Sequence, residues 1–240
     1  MISKHQTPTK SGFHSKTNAD EITNGIVLTE KIAIVTGGYS GIGLETTRQA
    51  LAAGYDVRAL ARSATSIKLA DAKLEKMPGD ALNQQNVEAA LAGVDVVIVT
   101  LGIGLGDLFK AVHLFSQETR VLIAAMKDKS VNRLIAITGF GAGDSQASIS
   151  PLQGFPFKIV FGRAYDDKSR QEELIKQSGL DWTIARPGVL LNGARTGRYK
   201  VLREPSEWRN GIIARANVAD FLVKQIEDRS FIGAAPVLVN

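Results

Sequence analysis

An apolar run, Ile32-Ala33-Ile34-Val35, stops at Thr36-Gly37-Gly38-Tyr39-Ser40-Gly41-Ile42-Gly43, and a helical stretch then continues to Ala53, with Gly54 as its stop signal. A short run with no polar alternation is the pattern of a strand buried on both faces, as in a parallel sheet. A buried strand that enters a helix through a glycine-rich turn is suited to holding a phosphate. Gly37 permits the tight turn, Gly41 lets the backbone approach a pyrophosphate with no Cβ in the way, and Gly43 lets the helix pack closely on the strand. The free N–H groups at the helix start then face the anion. Tyr39, Ser40 and Ile42 occupy the intervening places and are assigned to the same cofactor site.

The rest of the chain repeats the alternation. Asp56 to Ala61 reads as a second strand, and residues 63–76 read as a helix broken at Pro78-Gly79. Residues 85–92 form a short helix, and Val94 to Thr100 is the strongest strand. A long helix is expected over 107–127, where Val112, Phe115, Thr119, Leu122 and Met126 recur at helical spacing. Leu134 to Thr138 is a strand, residues 139–157 a long Gly-, Ser- and Pro-rich loop, and a helix then runs to Gln177. Trp182 to Ala185 is a strand ended by Arg186-Pro187-Gly188. Residues 189–210 read as irregular, 216–227 as a last helix and Pro236 to Val239 as a last strand. Strands alternating with helices predict an α/β fold: one Rossmann-type doubly wound parallel sheet with helices on both faces, over residues 31–240. Residues 1–30 are polar and aperiodic and read as a flexible arm.

Composition narrows the function classes. The chain has no cysteine, which excludes disulfides, thiolate nucleophiles and zinc–thiolate sites, and no metal site is expected. No stretch approaches the roughly 18 apolar residues of a membrane span. The polar N-terminus lacks the apolar core of an export signal. The chain is therefore read as cytoplasmic, without a membrane partner. Its net charge of +5 comes from scattered basic residues with few aromatics, so the partner expected is a small anionic ligand and not a nucleic acid. A monomer or a homodimer is expected.

The end of the second strand chooses the nucleotide. An acid about 20 positions after the turn would hold a ribose 2′-OH and favour NAD(H). The chain instead reads Leu60-Ala61-Arg62-Ser63. Arg62 offers a guanidinium to a 2′-phosphate and Ser63 a hydroxyl, which favours NADP(H). Arg58 is a weaker candidate, since it can simply snorkel from the strand. Two further strand ends should flank the cofactor. In Gly79-Asp80-Ala81, Asp80 serves either the adenine amine or a turn, and the backbone of Thr100-Leu101-Gly102 passes the ribose.

On these residues the chain resembles the short-chain dehydrogenase/reductase superfamily from residue 31 onward. Residues 6–48, with Gln6-Thr7-Pro8, Ser11-Gly12-Phe13 and the turn itself, resemble the start of a retinol-dehydrogenase-like member. The body from about Ala50 resembles the atypical NAD(P)H-binding branch, which is similar to flavin and biliverdin reductases and to redox-sensing regulators. Its matching segments are Thr138-Gly139-Phe140-Gly141-Ala142-Gly143-Asp144-Ser145, Tyr165-Asp166-Asp167-Lys168 and Leu180-Asp181-Trp182-Thr183-Ile184-Ala185-Arg186-Pro187-Gly188. The mixed character suggests a recombined sequence. A typical member uses a serine and Tyr-x-x-x-Lys, with the tyrosine as general acid and the lysine on the nicotinamide ribose. Here Ala164 stands four before Lys168, and Tyr165 three before it, on the same helical face. The resemblance implies Lys168 as a ribose contact, Tyr165 as proton donor, Thr138 in the serine's place, and Pro187-Gly188 against the nicotinamide carboxamide. Asn217 is read as a helix cap, with Arg215 beside it.

These readings converge on an NADP(H)-dependent oxidoreductase transferring hydride to a small carbonyl, flavin or quinone acceptor. The alternatives are a non-catalytic NADP(H)-binding redox sensor, and a sugar-nucleotide epimerase or dehydratase, which would usually need an intact Tyr-x-x-x-Lys and a larger C-terminal domain.

Overall fold

The computed structural model describes residues 31–102, 113–149 and 151–240, the stretch 151–161 by its backbone alone. The expected arm at 1–30 and the expected helix start at 107–112, with Val112, lie outside the described residues. In chain order the elements are β1 (Ile32–Thr36), α1 (Gly41–Ala52), β2 (Asp56–Ala61), β3 (Leu74–Pro78), α2 (Gln84–Ala90), β4 (Val96–Val99), α3 (Leu114–Asp128), β5 (Arg133–Ile137), α4 (Pro151–Lys176), β6 (Asp181–Pro187), β7 (Val189–Leu191), β8 (Lys200–Leu202), β9 (Ile212–Ala214), α5 (Arg215–Lys224) and β10 (Val237–Val239).

Eight strands form one sheet in the order β3-β2-β1-β4-β5-β6-β10-β8, and β7 pairs with β9 in a separate parallel ribbon. The order 3-2-1-4-5-6 places the reversal of strand order, the topological switch point, between the parallel strands β1 and β4, where doubly wound folds bind their ligands. Alternate residues of each central strand feed two apolar layers. Ala33, Val35, Val96, Ile98, Ile135 and Ile137 face one layer, shared with Val218, Phe221 and Leu222 of α5. Ile34, Val97, Val99, Leu134 and Ala136 face the other, shared with Val87 of α2, Leu122 and Met126 of α3 and Ile175 of α4. Burial on both faces explains why these strands read as continuous apolar runs.

Four expectations change. Residues 63–76 are not a helix. They hold one 3-10 turn, Ala64–Ser66, and lead into β3, which among the described residues is an edge strand paired with β2 alone. Its exposed Glu75 and Lys76 hide the strand pattern. The expected loop at 139–157 holds a 3-10 turn, Gly143–Ser148, and the start of α4, which opens on Pro151, where a missing N–H costs nothing. Residues 189–210 are not irregular throughout, because the three-residue strands β7 and β8, too short to show a period, lie there. Finally, β8 runs antiparallel to β10, so the sheet is parallel except at that edge.

Candidate functional site

The carboxyl ends of β1 to β6 open into one cleft of about 470 Å³. Its lining includes Gly37, Tyr39, Ser40, Gly41 and Ile42 from the turn, Arg62 after β2, Asp80 and Ala81 after β3, Thr100, Leu101 and Gly102 after β4, Thr138 after β5, Lys168 from α4 and Pro187 from β6. Segments far apart in sequence thus meet at one place. Leu60, Leu82, Leu114, Ile137, Leu190 and Arg215 also line the walls, none of them singled out for the site from the sequence.

The turn is built as its glycines require. Gly37 has φ +72° and sends its N–H across to the Leu60 carbonyl at 3.0 Å, while Gly41 has φ +55° and opens α1. A Cβ on Gly43 would overlap the Gly37 carbonyl and the Thr100 hydroxyl, so Gly43 serves close packing behind the cleft and does not line it. A Cβ on Gly41 would meet nothing within 4 Å, as expected where a ligand's phosphates approach. The N-cap residue Ser40 makes no side-chain cap bond, and the first turn of α1 carries no acid. The N–H groups and the Ser40 hydroxyl therefore remain for an anion. The donor set and the open cradle fit a dinucleotide pyrophosphate.

Arg62 is exposed at the cleft, with no carboxylate paired to it among the described residues. Arg58 is committed elsewhere: it pairs with Glu75 at 2.6 Å and donates to the Ala90 and Ala92 carbonyls. Ser63 occupies the N-cap position of the short 3-10 turn without a side-chain cap bond and does not line the cleft. Asp80 lines it, yet one carboxylate oxygen accepts the Leu82 N–H at 3.0 Å, and its own N–H donates to Asn86. That is the turn role. Gly188 is also structural, since a Cβ there would strike the Gly211 carbonyl. Among the described residues no group of His, Cys, Asp or Glu is arranged to hold a metal ion.

The acid–base residues differ most from expectation. Lys168 Nζ donates to the Thr138 carbonyl at 2.9 Å and lies 4.4 Å from the centre of the Phe115 ring. Burial lowers its pKa to about 8, with Glu172, Glu118 and Asp167 acting against that fall. The Thr138 hydroxyl is turned away to Glu172 at 2.8 Å, and so does not take the orienting role of the typical serine. Tyr165 does not line the cleft. Its hydroxyl lies against Gly139, where a Cβ would come within 2.7 Å, and burial raises its pKa. A phenol made less acidic by burial is not the activated donor of a Tyr-x-x-x-Lys site.

Two buried charge systems were not visible in the sequence. Arg186 is fully buried; it donates to both oxygens of Glu172 and to Asp144, and stacks 4.9 Å from the Trp208 ring. With Thr138 and Lys176 on the same carboxylates, this network ties the ends of β5 and β6 to α4. The second is Glu118 on α3, fully buried, with no hydrogen bond of good geometry to either oxygen among the described residues. Burial pushes its carboxyl up to about 8, while the nearby Thr36 hydroxyl and the Lys168 charge pull it down.

A protein-family model described as NAD(P)H-binding matches residues 37–229. An uncharacterized chloroplastic protein of Arabidopsis thaliana is 29% identical over 214 residues, which cover 85% of this chain and 75% of that protein. The solved structure of ChuY, an anaerobilin reductase from Escherichia coli O157:H7, is 27% identical with a TM-score of 0.73, covering 87% of this chain and 97% of that one. A short-chain dehydrogenase/reductase from Veillonella parvula, solved in complex with NADP, shares the fold at 15% identity and a TM-score of 0.72, over 88% of this chain and 94% of that one. The match begins at Gly37, so the retinol-dehydrogenase-like resemblance of residues 6–48 stands on sequence alone. The chain belongs to the NAD(P)H-binding family.

Proposed function

We propose that this protein is an NADP(H)-dependent reductase that passes hydride to a small conjugated acceptor, a carbonyl compound, flavin or quinone. The observation that carries the reading is Arg62. An exposed guanidinium, without a paired carboxylate among the described residues, stands after β2, where an NAD-selective site would place an acid. Arg62, Lys168 and Arg215 against Asp80 leave the cleft lining net positive, which suits a polyanionic nucleotide.

Bound nicotinamide supplies the hydride, and the chain supplies binding and orientation. The turn and the α1 N-terminus hold the pyrophosphate, Arg62 the 2′-phosphate, and Lys168 the nicotinamide ribose. Leu114, Ile137, Leu190 and Pro187 give the acceptor end an apolar wall. Lys168 is the titratable group in that end placed to give up a proton near neutrality. An acceptor that takes hydride at a ring atom and its proton from solvent needs no more. Placement of the Tyr165 hydroxyl against Gly139 favours one rival, a nucleotide-binding redox sensor without turnover. Titration with NADPH, followed by a screen of flavins, quinones and aldehydes for NADPH oxidation, tests the reading. Tight NADPH binding with no oxidation by any acceptor would favour the sensor.

A further inference from the structure

The cleft holds a cation for which the nucleotide has no assigned group. On the reading above, Arg62 takes the 2′-phosphate, the glycine turn the pyrophosphate and Lys168 the ribose. Arg215 lines the same cleft, half-buried, at the first position of α5 directly after β9. It stands on the flank away from Arg62. The Gly211 carbonyl, just before β9, accepts the Val189 N–H at 2.8 Å where β7 follows β6, and the Ile212 carbonyl accepts the Asn240 N–H at 2.9 Å just past β10. Across the order β2-β1-β4-β5-β6, with strands about 4.8 Å apart, the ends of β2 and β6 are separated by roughly 19 Å. Arg215 therefore belongs to the acceptor end, with Pro187 and Leu190.

Folding alone gives little reason for a cation at this position. The N-terminus of a helix carries positive partial charge, which disfavours one in the first turn. Among the described residues its hydrogen-bond partner is neutral: Nη1 donates to the Asn192 side-chain oxygen at 2.8 Å. That bond fixes the fork and leaves Nε and Nη2, whose N–H groups point the same way and match the two oxygens of a carboxylate. The support is anchored. Asn217 does not cap α5, where Ala214 holds the N-cap position; its side-chain oxygen accepts the Thr196 and Gly197 N–H groups at 2.9 and 3.2 Å. Buried Asp220 accepts from Arg195 and Tyr199, each at 2.8 Å. The loop that carries Asn192 is thereby tied to the helix that carries Arg215.

We propose that Arg215 is a specificity-determining residue that receives a carboxylate on the acceptor, so that the substrate class is a small conjugated compound bearing an acid group. The proposal rests on the reductase reading of this cleft. Leu114, Ile137 and Leu190 face the conjugated body of the acceptor, and the Nε–Nη2 edge takes its acid. A neutral acceptor leaves that edge to water.

The test compares 4-formylbenzoate with its neutral twin, 4-formylbenzamide, by NMR titration of the full chain, with saturating NADP+ and again without nucleotide. Wild type should bind the acid at least roughly tenfold more tightly than the amide, as a charge-assisted bidentate pair does. Arg215→Met should erase that preference by weakening the acid alone, with NADP+ affinity within about threefold of wild type. Arg215→Lys should restore part of the preference, since it returns the charge without the fork. Equal affinities for acid and amide in wild type, or no binding of the acid, overturn the proposal, and this comparison needs no variant to fold. A preference that survives in Arg215→Met, or a loss of NADP+ affinity as large as the loss for the acid, overturns it as well, the latter by making Arg215 a nucleotide contact. All readouts are binding. Absence of NADPH oxidation by any acceptor would sink the reductase reading without moving them, and failure of NADP+ to bind would leave the titration without nucleotide to decide on Arg215.

Discussion

The Lys168 ammonium is anchored to Thr138 by the backbone and not by the side chain: it donates to the Thr138 carbonyl at 2.9 Å, while the Thr138 hydroxyl points away to Glu172. The lysine is thus fixed to the end of β5 whatever residue stands at 138. Lys168→Met should weaken NADPH binding by roughly tenfold to a hundredfold, as expected for loss of a hydrogen bond from a charged donor. Thr138→Val should leave nucleotide affinity within about twofold of wild type and lower stability by about 1–3 kcal/mol, because Glu172 loses a buried donor. Isothermal titration with NADPH and urea unfolding of both variants separate the two effects. A Thr138→Val variant that binds NADPH as poorly as Lys168→Met would contradict the assignment.

Gly43 touches no cleft surface, yet its lack of a side chain is required by the Gly37 carbonyl and the Thr100 hydroxyl. Gly43→Ala should cost about 1–3 kcal/mol of stability through overpacking against backbone. Displacement of the turn should reduce NADPH affinity as well. Denaturant unfolding at wild-type stability would show that the strand–helix contact is looser than described.

The buried Arg186 guanidinium depends on Glu172 for its main compensation, since Asp144 is largely exposed. Glu172→Ala should destabilise the fold by about 3–5 kcal/mol, the range for leaving one member of a buried pair alone. The double variant Glu172→Leu with Arg186→Met should recover a large part of that loss. Equal instability of the double and single variants, read from urea midpoints, would mean that shape and not charge governs this corner.

Glu118 gives stability a particular pH dependence. Its carboxyl titrates near 4.5 when unfolded and near 8 when folded, so the folded state binds the proton more tightly. The contribution is present in full below 4.5 and is lost as pH rises toward 8. Glu118→Gln removes that loss, so the variant should gain stability over wild type between pH 5 and 8, with the gap level above that. Thermal unfolding at several pH values measures it, and a gap that does not change with pH would show that Glu118 stays ionised in the folded chain.

Local steric and burial demands made much of this site legible in the sequence. Gly37, Gly41 and Gly43 are forced by the geometry of one turn, and the central strands advertise themselves because both faces are buried. Each strand end then marks a cleft residue, as with Arg62, Thr100 and Thr138. What stayed hidden is non-local. Glu172 and Arg186 are hydrogen-bonded across separate elements that only the fold brings together. Glu118 falls among polar letters in a helix, and nothing nearby in sequence discloses that Thr36 and Lys168 lie next to it. Leu190 reaches the cleft from β7 of the short β7–β9 ribbon, which has no periodic signature, and Arg215 from the start of α5 directly after β9. Gly188 and Ser63 stand beside true strand ends without lining the cleft, and Tyr165 shares a helical face with Lys168 while its hydroxyl is directed at Gly139.

The central claim is that the cleft selects a 2′-phosphorylated nicotinamide dinucleotide through Arg62. Parallel titrations of wild type and Arg62→Ala with NADPH and NADH, at one fixed ionic strength, test it most directly. Wild type should bind NADPH at least roughly tenfold more tightly than NADH, and Arg62→Ala should lose most of that preference by weakening NADPH alone. Equal affinities in wild type, a preference for NADH, or a preference that survives in Arg62→Ala would contradict the account.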